Sequence, residues 1–235
     1  ICTSKSTSID FFDNSDDQIS QYAQGNEAII PWLQKDALVV LSIGDDEAEC
    51  TYEEITRPPL EQLFGEMSAL EIAQGITEYQ YYLYSAIRPR DLIRWGRSKE
   101  KEKDCPALSA LVSNFNRISS FFSTIIARKM FLKERVEAIH KTIDVCGACL
   151  NYGNYLALQA VLSSLNHSSI ERMKRTWTSL NETKMKELDT YRDIMSQFGN
   201  FSAYRGRLIL SSPPFIPYPG CTTKDLLFLM DGNPD

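Results

Sequence analysis

The chain has 235 residues, of which 43% are hydrophobic and 24% are charged, and its formal net charge at pH 7 is -6. This composition is typical of a globular protein with a sizeable core, and no apolar run approaches the ~20 residues that a membrane-spanning helix requires. The acidic balance argues against a nucleic-acid-binding protein, which is normally basic. The chain opens with Ile1 and has no basic-then-apolar leader, so we expect it to be an excised fragment.

The first 58 residues differ from the rest of the chain in charge. They contain twelve acidic and three basic residues, whereas basic residues are in slight excess over residues 59–235. The pair Pro58-Pro59 stands at this change, and it can continue neither a helix nor a central strand. We therefore predict an acidic flanking segment, residues 1–58, followed by a domain, residues 59–235. Within the flanking segment, residues 37–43 and 48–55 are compatible with two short strands, or with a short helix followed by a loop.

Beyond residue 58, apolar residues recur at three- and four-residue spacing, which predicts a succession of helices. Ser68 and Glu71 form a capping box that opens the first helix, with Ile87 near its end and Pro89 as its stop. Further helices are predicted at the apolar stripes over residues 108–126, 136–149, 155–165, 170–180, 185–198, 201–208 and 222–230.

Local signals predict where the later helices begin and end. Ser168 or Ser169 can cap the helix over 170–180, and Gly199 is a usual left-handed terminator for the one before it. Residues 211–220 contain four prolines, so we predict a rigid extended segment there. Together these patterns predict an all-α domain, with any strands confined to residues 1–58.

The sequence lacks the motifs of covalent and phosphate chemistry, because GxxxxGK[ST], GxGxxG, GxSxG and HExxH are all absent from it. Cys146 and Cys149 form a CxxC pair that is interpreted either as a redox or zinc site or, more simply, as small buried helix residues. A zinc site would need further ligands, and the two histidines, His140 and His167, lie far apart in sequence. We therefore predict no metal and no cofactor, and free cysteines in a reducing, cytoplasmic setting.

Four groups of residues resemble, in order and spacing, the conserved blocks of the Ras-type guanine-nucleotide exchange factor catalytic domain. The most specific runs are RMKRTW over residues 172–177, PPFIPY over 213–218 and GNPD over 232–235. The other matching positions are residues 73–92, 115–121, 135–139, Asn154, Tyr155, Tyr204, Arg205, Gly220, Asp225 and Leu226. The resemblance covers residues 60–235 and implies an irregular multi-helix fold.

The resemblance implies a function without covalent chemistry. Domains of this family bind a Ras-subfamily GTPase, of Ras, Rap or Ral type, remodel its second switch and open its first, so that nucleotide and Mg²⁺ leave. Such a domain acts by differential affinity, as an exchange catalyst with no catalytic residues in the covalent sense, no cofactor and no nucleotide site of its own. The resemblance also implies a cytoplasmic protein that domains outside this chain recruit to the inner face of the membrane.

By position, the resemblance places seven residues along the groove for the second switch: Trp95, Val112, Phe115, Asn116, Cys146, Asn154 and Tyr218. Plain core packing is the alternative for the apolar members of this set. Asn116 and Asn154 are favoured as contacts because an amide on the apolar side of a helix needs a partner. A scaffold role, joining helices, is implied for Arg172, Trp177, Tyr204 and Arg205.

The sequence departs from the family pattern in the groove and at its end. The family's usual Asn-Asn-aromatic-Asn run is replaced over residues 153–156 by GNYL, and the Trp that commonly follows the second block is Phe121. These losses leave open an alternative, a catalytically silent adaptor that uses the fold as a protein-interaction surface. In the family, GNPD leads into a helical hairpin that opens the first switch. Asp235 is the last residue here, so we expect a domain that is incomplete at its C-terminus and exchanges nucleotide poorly by itself.

Overall fold

A computed structural model describes residues 60–233, and this part of the chain is built from twelve helices. In chain order they are α1 (Leu60–Glu66), α2 (Ala69–Ser85), α3 (Pro89–Trp95), α4 (Lys101–Asp104), α5 (Pro106–Arg128), α6 (Leu132–Asn151), α7 (Tyr155–Leu165), α8 (Ser168–Glu171), α9 (Lys174–Thr178), α10 (Glu182–Ile194), α11 (Ser202–Leu210) and α12 (Pro219–Gly232). Residues 60–233 contain no β-strand, and Asn154 and Ile216 form an isolated parallel bridge. The predicted all-α fold is confirmed for this part of the chain.

The domain boundary predicted at Pro58 and the strands predicted within residues 1–58 lie outside the described residues and stay predictions. Within residues 60–233, none of the helices is both long enough and apolar enough to cross a lipid bilayer.

The core is organised around α7, which other helices enclose on nearly every side. Buried residues occupy nine of its eleven positions, as its sequence YLALQAVLSSL predicts, because it is apolar around most of its circumference. The amphipathic helices α5 and α6 pack against α7, and α2 packs across α6. The side chains that α5 and α6 turn towards this core include Ile118, Phe122, Ile126, Ile139 and Ile143.

A second, smaller apolar cluster lies where the N-terminal ends of α5 and α7 meet the segment that precedes α12. Its buried members are Cys105, Leu108, Leu111, Leu156 and Ile216. Partly buried aromatic side chains cover this cluster, among them Trp95, Phe115 and Tyr218. The second cluster therefore gathers three of the seven predicted groove residues around one feature of the fold.

Residues 211–218, named the strap here, form the extended segment that the prolines predict. The strap is fixed to the α6–α7 junction by its backbone. The Ile216 N–H donates to the Gly153 carbonyl (3.0 Å), and the Ile216 carbonyl accepts from the Tyr155 N–H (3.0 Å). Farther along, the Tyr218 N–H donates to the hydroxyl of buried Tyr204 (2.9 Å). These bonds satisfy backbone groups that an extended segment lying on a core cannot offer to water.

The expectation that Pro89 stops the first helix after Ile87 was wrong. The capping box of Ser68 and Glu71 opens α2 as predicted, but α2 ends at Ser85. Pro89 instead begins α3, where a residue without an N–H costs no helix hydrogen bond. The Asp91 carboxylate accepts from the backbone N–H that precedes Pro89 (3.1 Å), which completes the start of α3.

The single helix predicted over residues 170–180 is in fact two short helices, α8 and α9. The ring of His167, rather than a serine hydroxyl, caps α8 by accepting from the Ser169 N–H. The indole N–H of Trp177 donates to the Ile170 carbonyl (2.9 Å) across the break, so this carbonyl is satisfied without a continuous helix.

Two further helix ends differ from prediction. Gly199 has the expected positive φ of 57°, but α10 already ends at Ile194, and Gly199 belongs to the turn that follows. At the other end of the strap, α12 begins at Pro219 rather than at Thr222. Proline again starts a helix because its missing N–H would be unpaired in the first turn in any case.

We predict that Tyr204→Phe lowers the free energy of unfolding by about 1 kcal/mol, because the Tyr218 N–H loses its acceptor while the ring still fills its place. Urea unfolding followed by far-UV circular dichroism measures this change. Tyr81→Phe is the matched control, since Tyr81 lies half exposed on α2. Equal unfolding midpoints for the wild type and Tyr204→Phe would contradict the anchoring role of Tyr204.

Candidate functional site

Five of the seven predicted groove residues lie at or near the surface around α5 and the strap, and we name this set the α5–strap face: Trp95, Val112, Phe115, Asn116 and Tyr218. On α5, Val112, Phe115 and Asn116 are spaced by three and four positions, so they share one side of the helix. Val112 and Asn116 are exposed, and Phe115 is partly buried. The α5–strap face thus combines exposed apolar surface with an exposed amide.

The ring of Tyr218 is held between two other aromatic rings. Its centroid lies 6.3 Å from that of Phe115 and 5.9 Å from that of Phe201. The ring also crosses the first turn of α12 so closely that a Cβ on Gly220 would lie 2.5 Å from the ring carbon Cζ. A residue without a side chain at position 220 therefore permits this position of the Tyr218 ring.

Trp95, the last residue of α3, is half-buried against the second cluster. The ammonium group of Lys101 lies 4.7 Å from the centroid of its ring, a distance at which cation and ring attract. The next residue, Gly96, is close to the Leu227 side chain of α12. Trp95 therefore occupies the corner of the α5–strap face at which α3 meets α12.

Asn154 is fully buried and forms its hydrogen bonds within the domain. Its Oδ1 accepts from the Ala157 N–H (2.9 Å), which caps α7. Its Nδ2 donates to Gln80 Oε1 (2.9 Å) and to Thr77 Oγ1 (3.1 Å) on α2. The structure thus places the Asn154 amide beneath the α5–strap face, where it joins α7 to α2, and its predicted contact with a partner stays a prediction.

Sequence reasoning missed two buried amides that extend the hydrogen bonds of Asn154 towards α5. Gln80 is fully buried, and its Nε2 donates to Asn114 Oδ1 on α5 (3.0 Å). Asn114, Gln80 and Asn154 therefore form an amide chain that links α5, α2 and α7. The Nδ2 of Asn114 is buried and has no partner among the described residues. The missed signal was Gln80 itself, an amide within the apolar stripe of α2.

Cys146 and Cys149 lie on the buried side of α6, and both thiols are inaccessible. Burial raises the pKa of Cys149 to about 12 and raises the pKa of Cys146 well above its ordinary value. Both are therefore neutral thiols at physiological pH. Within residues 60–233, no three histidine, cysteine or carboxylate side chains are grouped closely enough to hold a metal ion. The structure places Cys146 inside the core, and its role as a groove contact stays a prediction.

The four residues with an implied scaffold role all bond within the domain. Arg205 and Asp225 form a two-pronged ion pair (2.7 and 2.9 Å) that joins α11 to α12, and this pairing lowers the pKa of the Asp225 carboxyl. Arg172 donates through Nε to the Ser168 carbonyl (3.0 Å). The Arg205–Asp225 pair and the Tyr204–Tyr218 bond join elements next to the strap, whereas the bonds of Arg172 and Trp177 stay within residues 168–177.

Comparison with known proteins gives matches over most of the chain. The sequence model of the RasGEF domain family matches residues 71–235. Ras guanine nucleotide exchange factor W of Dictyostelium discoideum is 29% identical over 189 residues, which are 79% of this chain and 16% of that protein. Ras-specific guanine nucleotide-releasing factor 1 of Homo sapiens is 32% identical over 196 residues, 82% of this chain and 15% of that protein.

A fungal protein shows a similar match. Cell division control protein 25 of Candida albicans is 30% identical over 169 residues, which are 71% of this chain and 13% of that protein. The chain therefore spans less than a fifth of the length of each of these three relatives.

We predict that Gln80→Leu lowers the free energy of unfolding by about 2–4 kcal/mol, because it leaves buried amide groups of Asn114 and Asn154 without their partner. Urea unfolding measures the loss. Gln74→Leu is the matched control, since Gln74 is exposed on the same helix and bonds to exposed Glu78. An unchanged unfolding midpoint for Gln80→Leu would show that the amide chain does not join the three helices.

Proposed function

The chain belongs to the RasGEF domain family, and on that premise we propose that its domain promotes the release of GDP from a Ras-subfamily small GTPase. The observation that carries the proposal is the family match, because residues 71–235 include every member of the α5–strap face. The domain would act as an exchange catalyst on a partner protein, with no covalent step of its own.

The proposed mechanism is differential affinity. A domain that binds the nucleotide-free GTPase more tightly than the loaded one lowers the barrier to GDP release. Phe115 and Tyr218 supply large aromatic surfaces, which are frequent anchors of protein interfaces. Asn116 supplies an amide that donates and accepts hydrogen bonds on the same side of α5. Since the strap is fixed by backbone bonds, little conformational entropy is lost when a partner binds this face.

The partner and the location are further parts of this proposal. The names of the relatives from Dictyostelium discoideum and Homo sapiens state Ras as their target, so a Ras protein is the first candidate partner, before Rap and Ral proteins. The buried, neutral thiols of Cys146 and Cys149 are compatible with a reducing cytoplasm. Recruitment to the inner face of the membrane by domains outside this chain completes the proposal.

The experiment measures release of a fluorescent GDP analogue from Ras, Rap and Ral proteins. It compares the 235-residue chain with the complete gene product that contains it, and it records binding of each to the nucleotide-free GTPase. We expect the complete product to accelerate release from at least one GTPase and to bind its nucleotide-free form more tightly than its GDP form. If the complete product binds the GTPase without accelerating GDP release, the proposal is overturned and the adaptor is favoured.

We predict that Asn116→Ala in the active protein slows stimulated GDP release by about tenfold, because a contact worth roughly 1.4 kcal/mol is lost from the complex. The melting temperature should stay within about 1 °C of the wild type, because the amide is exposed. Thr124→Ala is the matched control, since Thr124 is exposed on α5 more than two turns farther along. Equal exchange rates for Asn116→Ala and Thr124→Ala would remove Asn116 from the interface.

A further inference from the structure

The turn between α5 and α6 exposes large apolar side chains next to each other. Met130 is 83% exposed and Phe131 is 69% exposed, and Leu132 beside them is also exposed. Single exposed apolar residues are common on globular proteins, whereas adjacent ones indicate an interaction surface. We name residues 128–133 the α5–α6 turn.

The exposure of these side chains is fixed by the fold. Arg135 donates through Nη1 to the carbonyls of Lys129 (3.0 Å) and Met130 (2.7 Å), and through Nε to the hydroxyl of buried Thr176 (3.2 Å). Phe131 is the N-cap residue of α6 and has extended backbone angles. One guanidinium group thus holds the turn from the inside, while Met130 and Phe131 project from it.

Basic residues surround this apolar tip. Arg128, Lys129 and Lys133 belong to the α5–α6 turn, and the Arg135–Thr176 bond brings α9, with exposed Lys174 and Arg175, to the same end of the domain. Residues 128–137 and 171–176 together contain seven basic and three acidic residues, in a chain whose net charge is -6. One of the three acids, Glu137, lies 3.9 Å from Lys133.

We propose that the α5–α6 turn docks the domain on an anionic lipid bilayer, with Met130 and Phe131 in the interfacial region and the surrounding basic residues at the headgroups. An apolar tip surrounded by cations matches the interfacial and headgroup regions of such a bilayer. Apolar side chains are stabilised by leaving water, and cations are stabilised beside anionic lipids. This docking is independent of recruitment by other domains and of the proposed exchange activity.

Docking through the turn leaves the α5–strap face accessible. Asn116 and Arg128 are twelve positions apart on one helix, which corresponds to about 18 Å at the rise of an α-helix. A domain held by the turn therefore keeps Asn116 about 18 Å along α5 from the residues that meet the bilayer.

The experiment is co-sedimentation of the 235-residue chain with vesicles of phosphatidylcholine alone and with about 30% phosphatidylserine, at low and high salt. We expect binding to the anionic vesicles, weaker binding at high salt, and little binding to the neutral ones. The double variant Met130→Ser with Phe131→Ser should bind anionic vesicles about tenfold less, because it removes most of the inserted apolar area. Serine is also a favoured N-cap residue at position 131, so the variant should keep its melting temperature.

Ile209→Ser with Leu210→Ser is the matched control, because these residues are 83% and 86% exposed at the end of α11. It should bind like the wild type. Lys174→Ala with Arg175→Ala should weaken binding to the anionic vesicles and lessen its dependence on salt. The proposal is overturned if the wild-type chain does not bind anionic vesicles or binds neutral ones equally. It is also overturned if the α5–α6 turn variant binds anionic vesicles like the wild type, or if the α11 variant loses as much binding as the α5–α6 turn variant.

Discussion

The strap is the constraint on which the candidate site depends. Prolines at positions 213, 214 and 217 keep the strap out of a helix, yet Ile216 within it is buried, so its backbone groups must find partners in the protein. They find them at Gly153 and Tyr155, where the end of α6 and the start of α7 leave a carbonyl and an N–H available. This fit fixes the strap beside α5, and Tyr218 then meets Phe115. Without the α6–α7 junction the strap would not be held beside α5, and the α5–strap face would lack Tyr218.

Buried amides give the site its second support. The chain of Asn114, Gln80 and Asn154 crosses from α5 through α2 to α7, so the helix that carries most of the site is joined to α2 and α7 by hydrogen bonds as well as by packing. Polar networks of this kind specify one arrangement of helices where apolar packing tolerates several. The exposed groups above them are therefore presented by a fixed surface. A fixed surface suits a domain whose proposed action is to favour one conformation of its partner.

Local sequence patterns predicted the long helices well. They predicted poorly the helix boundaries and the burial that depend on segments outside the pattern itself. The capping box of Ser68 and the stripe of α5 are properties of one helix, so the sequence alone reveals them. Pro89 was misjudged because proline is compatible with both the end of one helix and the start of the next. The resemblance places Phe115 and Asn116 in the groove by position, and both lie at or near the surface of α5. It could not show that Asn154 would be covered, because the strap that meets it is distant in sequence.

The central claim is that the α5–strap face binds the GTPase. Amide hydrogen exchange of the complete gene product, with and without nucleotide-free Ras, tests this claim most directly, because it locates the interface without any mutation. We expect slower exchange over residues 112–119 and 215–221 in the complex, and unchanged exchange over α9 and α10. Protection confined to α9 and α10, with none at the α5–strap face, would contradict the claim.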